Sequence, residues 1–325
     1  MDTSLMPQLR TIRVEAVADG VYAAISIPGQ GSVGNAGIID LGDETLIFDT
    51  LKTPAAAIEL CQAAEKLTGR SATWIVNSHW HDDHVAGNQV FLPEARAIIA
   101  TERTRELMAT QLVAEYAEDA AKLPDFLVSL QAQLAGETDA RQREHLALRL
   151  DENRLLAEEI SEIKVTLPTL TFDGRLTLRG ALRTVELLCY GGGHTESDLF
   201  LYLPAEQTAF LGDLAFLNCH PWLSDGDPDE WTHILDRVEK APLQVVVPGH
   251  GPVSDYTTIR LTRQYIIEAQ AQARSLVASG DTSEERLSAL PAPEPFDGWS
   301  WPHFHARNLR FLVGRAAMTS SAQTA

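Results

Sequence analysis

Apolar positions change their spacing twice along the chain, and the changes mark its organisation. Val21 to Ile27, Ala36 to Leu41 and Thr45 to Phe48 are short apolar runs bounded by polar or glycine-containing turns, which predicts three strands with a glycine-rich turn at residues 28–34. Asp49 ends the third. Thr53 and Pro54 then supply an N-cap and a first-position proline for a helix over Ala55 to Leu67, which Gly69 closes. A strand at Thr73 to Val76 completes a βαβ rhythm. Ala97 to Ala100 predicts another, with Thr101 placed to cap the next helix.

Between residues 101 and 164 the spacing is helical. Glu102 to Ala121, Phe126 to Leu134 and Arg141 to Ile163 read as helices punctuated by Pro124 and Gly136, with Leu146, Leu150, Leu155, Leu156 and Ile160 on one apolar stripe. That stripe must be buried on something. The block reads as a helical insertion between two halves of one domain spanning 1–325, and it is a lid that shapes a pocket, a dimerisation hairpin or a solvated decoration. His145 within it reads as structural.

Strands return at Thr169 to Phe172, Arg175 to Leu178, Arg183 to Cys189, Leu199 to Leu203 and Thr208 to Leu211, with Asp173-Gly174 read as a hairpin turn. Asp227 and Pro228 open a helix running through Glu239, and Val245 to Val247 is a buried-type strand. Helices from Thr258 to Ala278 and from beyond Pro302 to near Ala317 come next, with Thr319 onward read as a frayed tail. The coarse pattern predicts two packed sheets with helices outside.

Composition narrows the partners. The 325 residues carry a formal net charge of −19, which repels phosphate backbones and anionic headgroups, so nucleic acid and membrane are not expected partners. Met1 to Pro7 lack the basic and apolar regions of a secretory signal, and no apolar run reaches membrane-spanning length; a cytoplasmic location is expected. Cys61, Cys189 and Cys219 are far apart, without zinc-finger spacing, and are expected to be reduced.

The densest chemistry is at His79-Trp80-His81-Asp82-Asp83-His84, directly after an apolar strand. Histidines at i and i+2 of an extended chain share a side, so His79 and His81 are placed to grip one ion while Trp80 faces away. A helix beginning near Asp83 then offers Asp83 and His84 to a second. Three further positions are a His or Asp delivered by a glycine turn at a strand end: His194 in Gly191-Gly192-Gly193-His194-Thr195, Asp213 in Gly212-Asp213, and His250 in Pro248-Gly249-His250-Gly251. Glycine there lets the backbone pass close to a buried centre.

H-x-H-x-D-H followed by G-H-T, G-D and P-G-H-G resembles the metallo-β-lactamase superfamily over the whole chain apart from residues 101–164. The resemblance implies an αββα sandwich of two mixed β-sheets flanked by helices. It places His79, His81 and His194 on one zinc ion, Asp83, His84 and His250 on a second, and Asp213 between them, with Asp83 also orienting the attacking hydroxide; iron or manganese are alternatives to zinc. Asp49 and Thr195 are expected to support the ligands, Asp49 alternatively capping the helix after it, while spacing favours Asp83 over Asp82 as the ligand and leaves Asp82 facing solvent or capping. His220 and Trp222 lie in a loop expected to pass the site, and Gly29 to Ser32 form another candidate wall. Trp299, Trp301, His303 and His305 either pack in the core or line the pocket.

The implied function is a dinuclear zinc hydrolase of an ester, thioester, lactone or lactam carbonyl in a small molecule, possible as a homodimer. The β-lactamase subclass with a cysteine ligand is disfavoured because Cys219 lies outside the motif. The alternatives are a phosphodiesterase or nuclease of the same fold, a mononuclear iron enzyme resembling sulfur dioxygenases, and a non-catalytic metal-binding protein.

Overall fold

Strands β1 (Ile12–Ala18), β2 (Val21–Ser26), β3 (Ala36–Asp40), β4 (Thr45–Phe48), β5 (Trp74–Val76), β6 (Ala97–Thr101) and β7 (Leu170–Phe172) lie side by side in that order. The first four pair antiparallel, and β4 to β7 run parallel. This computed structural model describes residues 9–323. The Met1 to Pro7 segment, which lacks the features of a signal, falls outside the described residues. The second sheet holds β8 (Arg175–Arg179), β9 (Thr184–Cys189), β10 (Leu199–Leu203), β11 (Thr208–Phe210) and β12 (Val245–Val247), parallel only between the last two. Both sheets are mixed.

Residues of β3 and β4 are buried on both faces, which is why these strands read as unbroken apolar runs rather than alternations. Ile39, Leu46, Val76 and Ile99 of the first sheet meet Val185, Leu187, Leu201 and Phe210 of the second. Their neighbours Ile38, Ile47, Ile75 and Ile98 point the other way, onto Ala56, Ala57, Leu60, Ala63 and Ala64 of α1 (Pro54–Thr68). Thr53 caps that helix by accepting from the amide of Ala56, and Gly69 closes it at φ 72°. The outer face of the second sheet is covered by α7 (Pro228–Val238), α8 (Thr257–Ser279) and α10 (Pro302–Gln323), with Trp231, Tyr265, Ile266 and Leu312 against Phe200, Tyr202 and Ala209. The predicted αββα sandwich of two mixed sheets flanked by helices is what forms.

Four local expectations are corrected. β1 was not predicted, although Ile12-Arg13-Val14-Glu15-Ala16 alternates with the period of a strand. Asp173-Gly174 is not a hairpin: β7 pairs with β6 in the first sheet and β8 with β9 in the second, so the chain changes sheets there. The helical block is therefore the crossover from β6 to β7, and the two sheets divide after it. Within the block, α4 (Glu102–Leu107) passes through a π turn at Met108–Leu112 into α5 (Val113–Gly136), and α6 (Ala140–Glu159) returns. Pro124 does not break α5, because it stands on the exposed face where water can satisfy the carbonyl it leaves unpaired. Finally, the backbone of α10 stays helical to Gln323 rather than fraying at Thr319.

No described helix is long and apolar enough to cross a membrane.

Candidate metal centre

The parallel strands β4 and β5 end side by side, which puts Asp49 beside the stretch that comes after Val76. Two short helices, α2 (Asp82–Val85) and α3 (Asn88–Phe91), succeed the bend at residues 77–81. His79 and His81 face one way, while Trp80 turns into an apolar cluster with Val85, Leu107, Met108 and Leu112 of the insertion. The second sheet delivers His194 before β10, Asp213 after β11 and His250 after β12.

The seven residues converge in two groups. Side-chain donors of His79, His81, His194 and Asp213 lie within 4.8 Å of one another, as do those of Asp83, His84 and His250. Asp213 joins the groups: its Oδ2 stands 3.2 Å from His194 Nε2 and 3.3 Å from His250 Nε2, and its Oδ1 stands 3.0 Å from His84 Nε2. Asp83 Oδ2 is 3.3 Å from His250 Nε2 and 3.6 Å from His84 Nε2. Gly249 is required at this spot, since a Cβ there would stand 1.9 Å from Asp213 Oδ1.

Each imidazole has its outward nitrogen against an oxygen, which leaves the inward nitrogen as the lone-pair donor. Asp49 Oδ2 accepts from His84 Nδ1 at 2.8 Å and from the Ser78 hydroxyl at 2.7 Å, and that hydroxyl in turn accepts from His79 Nδ1 at 2.9 Å. His81 Nε2 meets Asp225 Oδ2 at 3.0 Å, His194 Nδ1 the Trp222 carbonyl at 3.0 Å, and His250 Nδ1 the Val33 carbonyl at 3.2 Å. Val33 holds φ at 59°, a conformation β-branched residues rarely adopt, to present that carbonyl.

Burial alone would raise the pKa of Asp213, but the imidazoles of His250, His84 and His194 hold its carboxyl well below the usual range. His79 is pushed well below its ordinary value, first by burial and then by His84. Among the buried side-chain atoms without a hydrogen-bond partner are His79 Nε2, His84 Nε2 and Asp213 Oδ1. Such orphaned donors in a sealed site cost on the order of 1–3 kcal/mol each, and a divalent cation satisfies them together. The residues present fit a metal.

Several expectations sharpen or fail. Asp49 supports the histidines as expected and is not the helix cap, which is Thr53. Thr195 touches no ligand imidazole; its hydroxyl donates to Asp198 Oδ1 at 2.6 Å, and Asp198 Oδ2 gathers the amides of Gly193 and His194 at 2.7 and 2.8 Å. Asp82 neither faces solvent freely nor caps, but pairs with Lys52 at 2.7 Å. Asp198 was legible as a carboxylate three residues beyond a glycine-turn threonine; Asp225 carried no signal beyond a turn.

A cavity of about 1410 Å³ opens beside the centre, with His250 in its wall. Trp301 lines it with its ring 4.9 Å from that of His250, and His303 lines it too. His220 and Trp299 do not reach it: they pack on each other and on Tyr265 in the core. Trp222 is not in its wall either, its indole donating to Asp225 at 2.8 Å. The insertion does contribute, through His145, Leu146, Leu148 and Arg149. The residues 28–34 turn sits beneath α6, with Gly29 against Leu148 and Gly31 against Leu155.

The metallo-β-lactamase superfamily model matches residues 29–250, more than half of the chain, and the chain belongs to that superfamily. Among curated proteins it is similar to "Metallo-beta-lactamase type 2" of Bacteroides fragilis, 31% identical over 121 residues, or 35% of this chain; the match spans 48% of the relative, about half its length. Solved structures with the same fold include a metallo-β-lactamase from Pontibacter korlensis (TM-score 0.55, 20% identity, 78% of this chain and 98% of that one). Another is FIM-1 from Pseudomonas aeruginosa in its mono-zinc form (TM-score 0.56, 18% identity, 81% and 98%).

Proposed function

We propose that the protein is a dinuclear metal-dependent hydrolase, with zinc as the metal, acting on an ester, thioester, lactone or lactam carbonyl of a small molecule. The observation that carries this reading is the pair of donor groups joined by Asp213, with every histidine anchored from behind. His79, His81 and His194 would hold one ion, Asp83, His84 and His250 the other, and Asp213 both. Bound there, the ions would supply a water activated at neutral pH and Lewis acidity toward the carbonyl.

The chain's own groups do the remainder. Asp83 is the most open carboxylate of the centre, its side chain 12% exposed, and stands between His84 and His250. In this reading it orients the attacking water and passes its proton to the leaving group. Trp301 covers His250 from the cavity and excludes bulk water on that side. Cys219 lies in the cavity wall, yet it is outside both donor groups, and burial and the nearby Asp213 hold its thiol protonated. A cysteine-ligated second ion is therefore not part of this reading, and the insertion at 101–164 belongs to the same catalytic domain.

A panel of thioesters, lactones, aryl esters and cephalosporins, assayed on metal-replete protein, tests the proposal. Turnover of at least one, lost on chelation and restored by zinc, is expected; no turnover across the panel overturns the carbonyl assignment.

A further inference from the structure

The cavity beside the donors carries a charge arrangement that hydrolysis at the metal centre does not itself require. The chain has a net charge of −19, yet α6 and α10 bring Arg149, His145, His303 and Arg307 to one cavity. Acidic groups sharing that space are already engaged. Glu152 Oε1 accepts from the amide of Gly29 at 3.0 Å, and Glu137 Oε1 from those of Thr138 and Asp139 at 2.7 and 2.8 Å.

Two other arginines of the wall have partners, Arg13 on Glu15 and Arg310 on Glu284. Among the described residues neither Arg149 nor Arg307 is in an ion pair; their guanidiniums lie over rings instead, Arg149 at 5.0 Å from Phe126 and Arg307 at 5.6 Å from Trp222. Burial and then Arg307 push the Arg149 pKa down, with Glu152 opposing them, and His145 Nδ1 is a buried nitrogen without a partner. Like charges sharing a half-enclosed space repel, and an oxyanion between them removes the repulsion while accepting charge-assisted hydrogen bonds.

The position relative to the chemistry is equally defined. Trp301 packs on His250, and Phe304 lies 5.4 Å from Trp222, whose carbonyl orients His194. The start of α10 therefore runs across the centre and sets Arg307 at its edge, while Leu146 and Leu148 of α6 give the same cavity an apolar side.

We propose that this cavity selects substrates carrying an oxyanion, a carboxylate, sulfate or phosphate, on an apolar stem remote from the scissile carbonyl, with Arg149 and Arg307 as its seat. What is cleaved rests on the hydrolase reading; the seat itself does not.

Calorimetric titration of octanoate, octyl sulfate, octyl phosphate and octanol into metal-replete protein tests the seat directly. The anions should bind at least about tenfold more tightly than octanol, and Arg149→Met and Arg307→Met should each remove about tenfold from the anions and nothing from octanol, with Arg307→Lys keeping part of the affinity. The tightest of the three anions identifies the headgroup. Anions binding no better than octanol, or anion affinity that survives both methionine substitutions because the anion sits on the metals, overturns the proposal. In a second arm, the p-nitrophenyl monoester of octanedioic acid should exceed p-nitrophenyl octanoate in kcat/KM, and Arg307→Met should abolish the preference. Neither ester turning over while the calorimetric pattern holds defeats the hydrolase reading alone. Equal turnover unaffected by the substitutions defeats the anion seat alone.

Discussion

Asp49 Oδ2 lies 2.8 Å from His84 Nδ1 with both side chains fully buried, and the same carboxylate reaches His79 through the hydroxyl of Ser78. One acidic group therefore aims an imidazole into each of the two donor groups. Asp49 itself sits at φ 61°, a strained backbone position that Asp tolerates better than most residues. Asp49→Asn keeps the shape but loses the charge that holds both rings. Affinity for metal should fall roughly 10- to 100-fold, measured by competition with a chromophoric chelator; unchanged affinity for both ions would refute the role.

The two donor groups predict the stoichiometry. Metal-replete protein should hold two ions, and His84→Ala one, by elemental analysis after gel filtration. A native value staying near one under metal-replete conditions defeats the dinuclear claim. Zinc at a hundred times its Kd should also raise the unfolding free energy by about 2.7 kcal/mol for each ion held, relative to chelated protein.

His220 predicts an acid limb of stability. Burial pulls its pKa from 6.5 to about 4, against Ser300 and Phe296 carbonyls that favour the proton, with Arg141 and His145 adding to the depression. Between those values the unfolded chain binds a proton that the folded chain refuses. Its contribution is thus complete above pH 6.5 and is lost as pH falls toward 4, by up to about 1.4 kcal/mol per pH unit. His305, also pulled to about 4, adds to the same limb. His220→Gln keeps a donor for Ser300 and should flatten the limb relative to wild type in urea unfolding between pH 7 and 4.5; parallel curves would contradict this.

Trp231 is fully buried, donates to the Leu214 carbonyl at 3.0 Å and packs 5.3 Å from the ring of His194. Trp231→Ala should cost about 3–5 kcal/mol by leaving a large void, read as a lower denaturant midpoint. It should also loosen the Gly193-His194 turn, whose glycine packs so closely that a Cβ there would press on Trp231 at 3.0–3.1 Å. A loss under 1 kcal/mol, roughly the scale of a surface change, would show that the site can collapse.

The donors were readable because each sits in a short local context: a strand end, a glycine and a His or Asp. The sheets were readable because central strands such as β4, β6 and β10 are buried on both faces. The surroundings of the donors were not, since Asp225 and the carbonyls of Trp222 and Val33 are supplied by ordinary-looking loops whose meaning arises only when distant turns meet. His220 and Trp301 illustrate the limit. Both stand in aromatic, histidine-rich stretches, but the backbone of Trp301, at φ 57°, carries its ring to His250, whereas His220 Nδ1 turns inward to the Ser300 carbonyl at 2.9 Å. Pro124 misled for a simpler reason, because periodicity does not reveal which helix face water reaches.

Asp213 joins donors from turns that lie on either side of the helical crossover and of most of the second sheet. In an unfolded chain those turns are far apart, and closing the loops between them carries an entropy cost that rises with the logarithm of their length. An ion held by either donor group would act as a removable cross-link between the sheets, in a chain whose three cysteines are free. Resistance to proteolysis should then track metal supply rather than redox state, with metal-starved protein parting first along the seam where the turn after β12 meets the loop between β2 and β3.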